Sequence, residues 1–262
     1  MPDELILLEK DEGIATLTIN RPEKRNSVNP EALLQLGDTL TALADDGETR
    51  VVVIRGTGEK AFSSGFDIGR IGGDAPPETG PRRNPLGYGL KSVRDFPYPV
   101  IAMIYGFAVG AGLELAATCD LRVAADTARL GITPTKLGLV YNAEGLRKFI
   151  DLVGMAQTRE LFYTARLVDA ARAAEIGLVD HVVPAVELAD YTYGLAREIA
   201  GNAPMAVRGT KTTINRLLEF SRLSPEADAE LRQLQAASMQ SDDLKEGQRA
   251  FMEKRKPNFS GH

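Results

Sequence analysis

Residues 99–120 read PVIAMIYGFAVGAGLELAATCD, and the rest of the chain can be read as support for this stretch. Val100 to Tyr105 is a short apolar run with three β-branched residues, bounded by Pro99 and Gly106, the pattern of a strand buried on both faces. Gly106, Gly110 and Gly112 follow, and then Leu113-Glu114-Leu115-Ala116-Ala117, a run of good helix formers. The order predicted is strand, small-residue turn, helix. Side chains are nearly absent at Gly110-Ala111-Gly112, so a ligand can approach the backbone there. The first N–H groups of a helix lack intrahelical partners and sit at the positive end of its dipole, so the turn offers donors to an oxygen that becomes anionic during a reaction. The same glycines would equally serve a plain tight connection that lets a helix pack on a strand. The spacing G-x-x-x-G-x-G is neither the dinucleotide fingerprint nor a Walker A loop.

Composition narrows the classes. The 262 residues are 44% apolar, enough for a large packed core, and 26% charged with a net charge of −5. No positive field draws the protein to nucleic acid or to an anionic membrane, so the partner expected is a small molecule. One cysteine, Cys119, leaves no intramolecular disulfide, which suits a reducing cytoplasm. Two histidines, His181 and His262, leave no convincing nucleophile-histidine pair, and no metal is implied. The opening MPDELILLEKDEG reads as neither a signal peptide nor a membrane span.

In chain order, Leu5 to Leu8 and Ile14 to Ile19 flank Asp11-Glu12-Gly13 and predict a β-hairpin. Asn29-Pro30 is a cap followed by proline at the first helical position, and Leu33, Leu34, Leu36, Leu40 and Leu43 mark an amphipathic helix behind it. Val51 to Ile54 predicts the next buried strand, delivering the chain to the loop GTGEKAFSSGFDIGR. Gly72 to Asn84 reads as a mobile surface loop near the mouth of a site. Leu90 to Phe96 predicts a short helix, Leu121 to Ala124 and Leu130 to Ile132 short strands, and Leu146 to Leu152 a helix. A capped helix from Asp169 stops at Gly177, a strand runs from Leu178 to Val183, and Val186 to Lys254 is almost wholly helical. Strands first and helices last predict an α/β core over residues 1–200 and a C-terminal helical region over 201–262.

Three stretches together resemble the crotonase family, the enoyl-CoA hydratase and isomerase superfamily: AFSSGFDI (61–68), PVIAMIYGFAVGAGLELAATCDLRVAA (99–125) and EKRKPNFSGH (253–262). The resemblance implies a superhelix of β-β-α turns with helical C-terminal elements, trimers often paired into hexamers, and an acyl-CoA thioester as substrate. It needs no cofactor beyond the coenzyme A carried by that substrate. It further implies that the thioester oxygen sits between two backbone N–H groups, which fall on Phe66 and Ala111. Many members have glycine where this chain has Ala111; alanine keeps the donor. Ser64 and the run Phe66, Asp67, Ile68 and Arg70, with Lys254, match positions that contact the coenzyme A portion, and Arg70 would face a phosphate.

Hydratases of this family use two glutamates to activate a water. Glu114 matches the first; the second falls on Thr135, whose hydroxyl is no general base near neutral pH. Thr133 to Asn142, T-P-x-x-L-G-x-x-Y-N, instead resembles the methylmalonyl-CoA decarboxylases of the family. Loss of CO2 from a malonyl-type thioester leaves an enolate that two preorganised N–H donors can stabilise, with no carboxylate base. Tyr141 matches the tyrosine that holds the departing carboxylate, with Thr133 beside it, and Glu114, if buried, becomes a candidate proton source. The decarboxylases resembled carry histidine where this chain has Phe66, which points to a bulkier or more apolar acyl group. Two alternatives stay open at this level: a hydratase or isomerase using Glu114, alone or with Glu144, and a catalytically silent acyl-CoA-binding protein. Glu144 reads more naturally as a first-turn helix residue, His181 as a sheet histidine and Cys119 as packing.

Overall fold

The apolar runs become strands, and the loops between them divide those strands between two sheets. The computed structural model describes residues 4–70, 80–219 and 225–259. Strands β1 (Ile6–Asp11) and β2 (Ile14–Ile19) form the antiparallel hairpin, turning through Glu12 (φ 45°) and Gly13 (φ 81°), the left-handed pair that a two-residue hairpin connection requires. Helix α1 (Pro30–Ala44) starts where the side chain of Asn29 accepts the Ala32 N–H.

Three turns of strand, strand and helix follow. They are β3 (Val51–Gly56), β4 (Ala61–Ser63) and α2 (Pro85–Asp95), then β5 (Val100–Ile104), β6 (Phe107–Val109) and α3 (Ala111–Thr118), then β7 (Leu121–Ala125), β8 (Arg129–Gly131) and α4 (Ala143–Thr164). In every turn the first strand joins one sheet and the second strand joins another. With β9 (Val168–Asp169), α5 (Ala170–Glu175) and β10 (His181–Val183), the six-stranded sheet has the order β1-β2-β3-β5-β7-β10 and the four-stranded sheet the order β4-β6-β8-β9. All pairings are parallel except β1 with β2 and β8 with β9. The crotonase-type α/β superhelix expected from the resemblance is the fold observed.

Helices α6 (Leu188–Ala200), α7 (Pro204–Glu219), α8 (Pro225–Gln240) and α9 (Asp242–Met252) complete the chain. β5 is buried on both faces: one face joins the core that α1, α2 and α3 cover, and the other meets Leu188 and Ala196 of α6. No helix among the described residues is long and apolar enough to cross a membrane.

Several boundaries differ from the sequence reading. The central stretch is not strand, turn, helix: β6 intervenes, because Gly106 (φ 55°) turns the chain where a Cβ would lie 2.1 Å from the Lys60 carbonyl oxygen, sending residues 107–109 into the second sheet. Helix α2 starts at Pro85, capped by Asn84, rather than at Leu90. Leu178 and Val179 belong to the turn that closes α5, both donating to the Ala173 carbonyl, so β10 begins only at His181. Helix α4 is longer than predicted and bends at Gly154 (φ 76°). Of the loop read over Gly72 to Asn84, residues 72–79 lie outside the described residues, as do 260–262 at the end of the EKRKPNFSGH motif; Gly80–Arg83 forms a single 3-10 turn.

Candidate active site

Two backbone turns meet at the ends of β4 and β6. In the first, Gly65 adopts φ 101° and lies so close to the second that a Cβ on it would sit 2.8 Å from the Val109 carbonyl oxygen and 3.7 Å from the Ala111 nitrogen. Gly112 is fixed the same way, since a Cβ there would meet the Ser63 carbonyl oxygen at 2.7 Å. The Phe66 turn is clamped by Val28, whose N–H donates to the Gly65 carbonyl and whose carbonyl accepts from Asp67 N–H, both at 2.8 Å. In the second turn Gly110 (φ 54°, ψ −126°) donates to the Gly131 carbonyl and opens α3, leaving Ala111 as its first residue. Neither Phe66 N–H nor Ala111 N–H donates to another described residue. Two unengaged donors on adjacent rigid turns are what an oxyanion site requires.

Both turns open on a cleft of about 350 Å3. Ser64, Phe66, Ile68 and Arg70 line it from the first turn, Gly110 and Ala111 from the second, and Thr133, Pro134, Leu137 and Tyr141 from the connection between β8 and α4. Asn84, Pro85 and Leu86 at the start of α2 and Gln235 and Met239 of α8 close it. The contribution of α8 was not legible in the sequence, because an amphipathic pattern does not say which groove a helix covers.

Behind the Ala111 turn lies a three-residue array. Glu114, one turn into α3, is 1% exposed; its Oε2 accepts from the Tyr141 hydroxyl at 2.5 Å and its Oε1 from Lys148 Nζ at 3.1 Å. Gly145 leaves room for this, since a Cβ there would lie 2.5 Å from the Tyr141 ring and 2.9 Å from Glu114 Oε1. The Tyr141 and Phe162 rings pack edge-to-face, their centroids 5.1 Å apart and their planes at 69°. Burial, and then the negative Glu114 carboxylate it bonds, push the Tyr141 phenol well above its ordinary range, so it keeps its proton. Lys148 did not emerge from the sequence, where it is one of many helix lysines.

The other sequence candidates separate from the cleft. Thr135 is exposed, and its hydroxyl donates to the Phe162 carbonyl at 3.1 Å. Glu144 sits in the first turn of α4, exposed, 3.4 Å from Arg94, which is the helix-end reading and not that of a base. Asp67 does not line the cleft; its carboxylate pairs with Arg21 at 3.1 Å. Arg70 lines the mouth but reaches Glu31 at 2.5 Å, both half-exposed, so the ion pair must open or share its cation for a phosphate to bind. Lys254 is exposed after α9, in a left-handed turn (φ 54°), and is not part of the cleft wall. His181 lies on β10 with its Nδ1 3.0 Å from the Tyr191 hydroxyl. Cys119 is buried, and burial pushes its thiol up to about 12, so it is inert packing.

With this geometry in hand, comparisons place the chain. The family model for enoyl-CoA hydratase/isomerase matches residues 9–262. A crotonyl-CoA hydratase of Syntrophomonas wolfei is 36% identical over 263 residues, 99% of each chain. Among solved structures, a methylmalonyl-CoA decarboxylase in complex with 2-nitronate-propionyl-CoA superposes with a TM-score of 0.90 at 31% identity over 99% of each chain. An enoyl-CoA hydratase/carnithine racemase from Magnetospirillum magneticum superposes at 0.77 and 33% identity, over 99% of this chain and 96% of that one. The chain belongs to the enoyl-CoA hydratase/isomerase family, the crotonase superfamily.

Proposed function

We propose that this enzyme decarboxylates a malonyl-type acyl-CoA thioester, methylmalonyl-CoA or a close relative. The observation that carries the reading is Thr135. Where the two-carboxylate mechanism of the resemblance requires a second glutamate, this chain has a hydroxyl turned onto the Phe162 carbonyl. The remaining carboxylate, Glu114, already has a donor on each oxygen. A site with paired N–H donors and no free base suits a reaction that needs charge stabilisation without proton abstraction.

In this reading the thioester oxygen lies between Phe66 N–H and Ala111 N–H. The electrons of the breaking carbon–carboxylate bond pass into the thioester π system, and the charge collects where the two donors point; CO2 leaves and the α-carbon takes up a proton. Tyr141, on the cleft wall and held neutral, turns its one hydroxyl hydrogen from Glu114 Oε2 to the substrate carboxylate as the substrate binds and keeps that group out of the thioester plane, with Thr133 beside it. Phe66 presents an aromatic side chain and Leu137 and Met239 aliphatic ones, which suits an apolar acyl substituent. The 31% identity and 0.90 TM-score with a methylmalonyl-CoA decarboxylase support this assignment.

The test follows CO2 release from methylmalonyl-CoA beside loss of enoyl absorbance from crotonyl-CoA. CO2 from the first without hydration of the second is the expected result, with decarboxylation falling about 100-fold in Tyr141→Phe. Hydration without CO2 overturns the reading. It would instead favour a hydratase running on Glu114, the alternative supported by hydratase names among relatives at 36% identity. Glu114→Gln would then abolish the activity.

A further inference from the structure

We propose that Asn142 and Gln235 bind the carboxylate of the acyl group, through side-chain NH2 groups that no described residue takes up. Both residues line the cleft, and both are half-buried. They come from different elements. Asn142 follows Tyr141 directly and caps α4, while Gln235 stands on α8, one turn before Met239. Ser238 fastens the two elements together: it is 8% exposed, and its Oγ accepts the Val140 N–H at 3.0 Å and donates to the Gln235 carbonyl at 2.8 Å. This end of α8 is thereby held against the segment that carries Tyr141.

The hydrogen count assigns the ligand. Asn142 Oδ1 accepts the Gly145 N–H at 2.7 Å, and an N–H can face only the oxygen end of a carboxamide, so this bond fixes which way round the group stands. Its Nδ2 has no partner among the described residues, and neither has either end of the Gln235 carboxamide. The one hydroxyl hydrogen of Tyr141 lies on Glu114 Oε2 in the free site and reaches a substrate only by leaving it. The carboxamide hydrogens are committed to nothing. A carboxylate accepts about four hydrogen bonds, so it can take them together with the hydrogen of Tyr141.

What the two groups contribute to turnover rests on the decarboxylase reading. CO2 leaves without charge, so a cation fixed on the carboxylate would stabilise the ground state more than the transition state. Arg70 is the one charged residue among the described residues that line the cleft, and it stands at the mouth, paired with Glu31. Neutral N–H donors set the direction of the carboxylate with a weaker grip than a guanidinium would.

The test compares two thioethers of coenzyme A on the full-length enzyme. The 2-carboxypropyl thioether keeps the carboxylate and has a methylene in place of the thioester carbonyl; the propyl thioether lacks the carboxylate, and neither can react. Calorimetric titration should give wild type the lower Kd for the first, and a wild type that binds the two alike overturns the proposal. Gln235→Met keeps the length of the side chain, and Asn142→Ser keeps a capping oxygen for α4. Each is expected to weaken the carboxypropyl ligand about 10-fold or more, as loss of a hydrogen bond to a charged group does, and to leave the propyl ligand unchanged. Asn142→Asp keeps both cap and shape but sets a negative charge beside the ligand carboxylate. It should weaken the carboxypropyl ligand more than Asn142→Ser does, again with the propyl ligand unchanged, an order that lost packing would not produce. A variant that weakens both ligands equally, or neither, strikes out its residue, and if this holds at both positions the proposal falls. Loss of discrimination in variants of a wild type that releases no CO2 leaves the carboxylate site standing and removes the reaction. CO2 release that Gln235→Met and Asn142→Ser keep in full, with unchanged discrimination, does the reverse.

Discussion

At Gly65 a single hydrogen in place of a methyl group sets the distance between the two turns of the site. Its φ of 101° strains any L side chain, and a Cβ would press on the Val109 carbonyl at 2.8 Å, on the turn that carries Ala111. Gly65→Ala is expected to cost about 1–3 kcal/mol in denaturant unfolding, and to reduce turnover about 100-fold by spreading the Phe66 and Ala111 donors. A variant with wild-type kcat would mean that the two N–H groups do not act as a pair. The turns were legible in the sequence because backbone donors need only glycines and small residues, which pattern and motif both report. Asp67 and Lys254 illustrate what was not: charge type is visible in a sequence, but not that Asp67 turns to Arg21 or that Lys254 stands apart from the cleft wall. Lys148 was missed for the same physical reason, since its partner is 34 residues away and meets it only through the packing of α4 on α3.

Helix α9 shows how an element far along the chain holds the cleft wall. It docks on the turn Pro134–Leu137 through Gly247, where a Cβ would lie 2.8 Å from the Leu137 backbone. Its own C-terminal tail is folded back by Glu246, which accepts from Arg255 and Arg249 and from the Asn258 N–H at 2.9 Å. Arg255 first, then Arg249 and the Asn258 amide, hold the Glu246 carboxyl well below the usual carboxylate range. A depressed folded value means that the contact contributes fully above the ordinary value of 4.5 and is lost progressively as the pH falls from there down through the depressed folded value. The Asn258 amide should therefore lose hydrogen-exchange protection on acidification through that range, and Glu246→Gln should lose it already near neutral pH. Equal protection in both proteins at both pH values would show that the clasp does not hold the tail. Elements of this length were readable because caps and apolar periodicity repeat over several turns. The strands β4, β6 and β9, two or three residues each, were not, because so few positions show no alternation and their place is set by the neighbours they pair with.

For the whole molecule, the surface of the single chain poses a question that its core does not. Helix α7 is anchored at one point by buried Lys211, whose Nζ reaches Asp120 at 2.7 Å and the Tyr98 carbonyl at 2.9 Å, and by Asn215, which donates to the Arg94 carbonyl. Beside these anchors it shows water Ile214, Leu217 and Leu218, 53, 63 and 52% exposed and spaced i, i+3, i+4 along one side. Large apolar side chains grouped on an otherwise polar helix are costly to leave wet and mark a surface that something covers. Another copy of this chain is the occupant to expect, since the family resemblance implies trimers and hexamers. Sedimentation equilibrium should give three or six chains per particle, and Ile214→Glu with Leu217→Glu should give single chains of unchanged helix content, because a charge buried against an apolar neighbour costs several kcal/mol where the same charge in water costs almost nothing. A wild-type protein that sediments as one chain, or a double variant that still assembles, would move the contact to another face. In the first case the apolar stripe on α7 would have to be covered from within the chain.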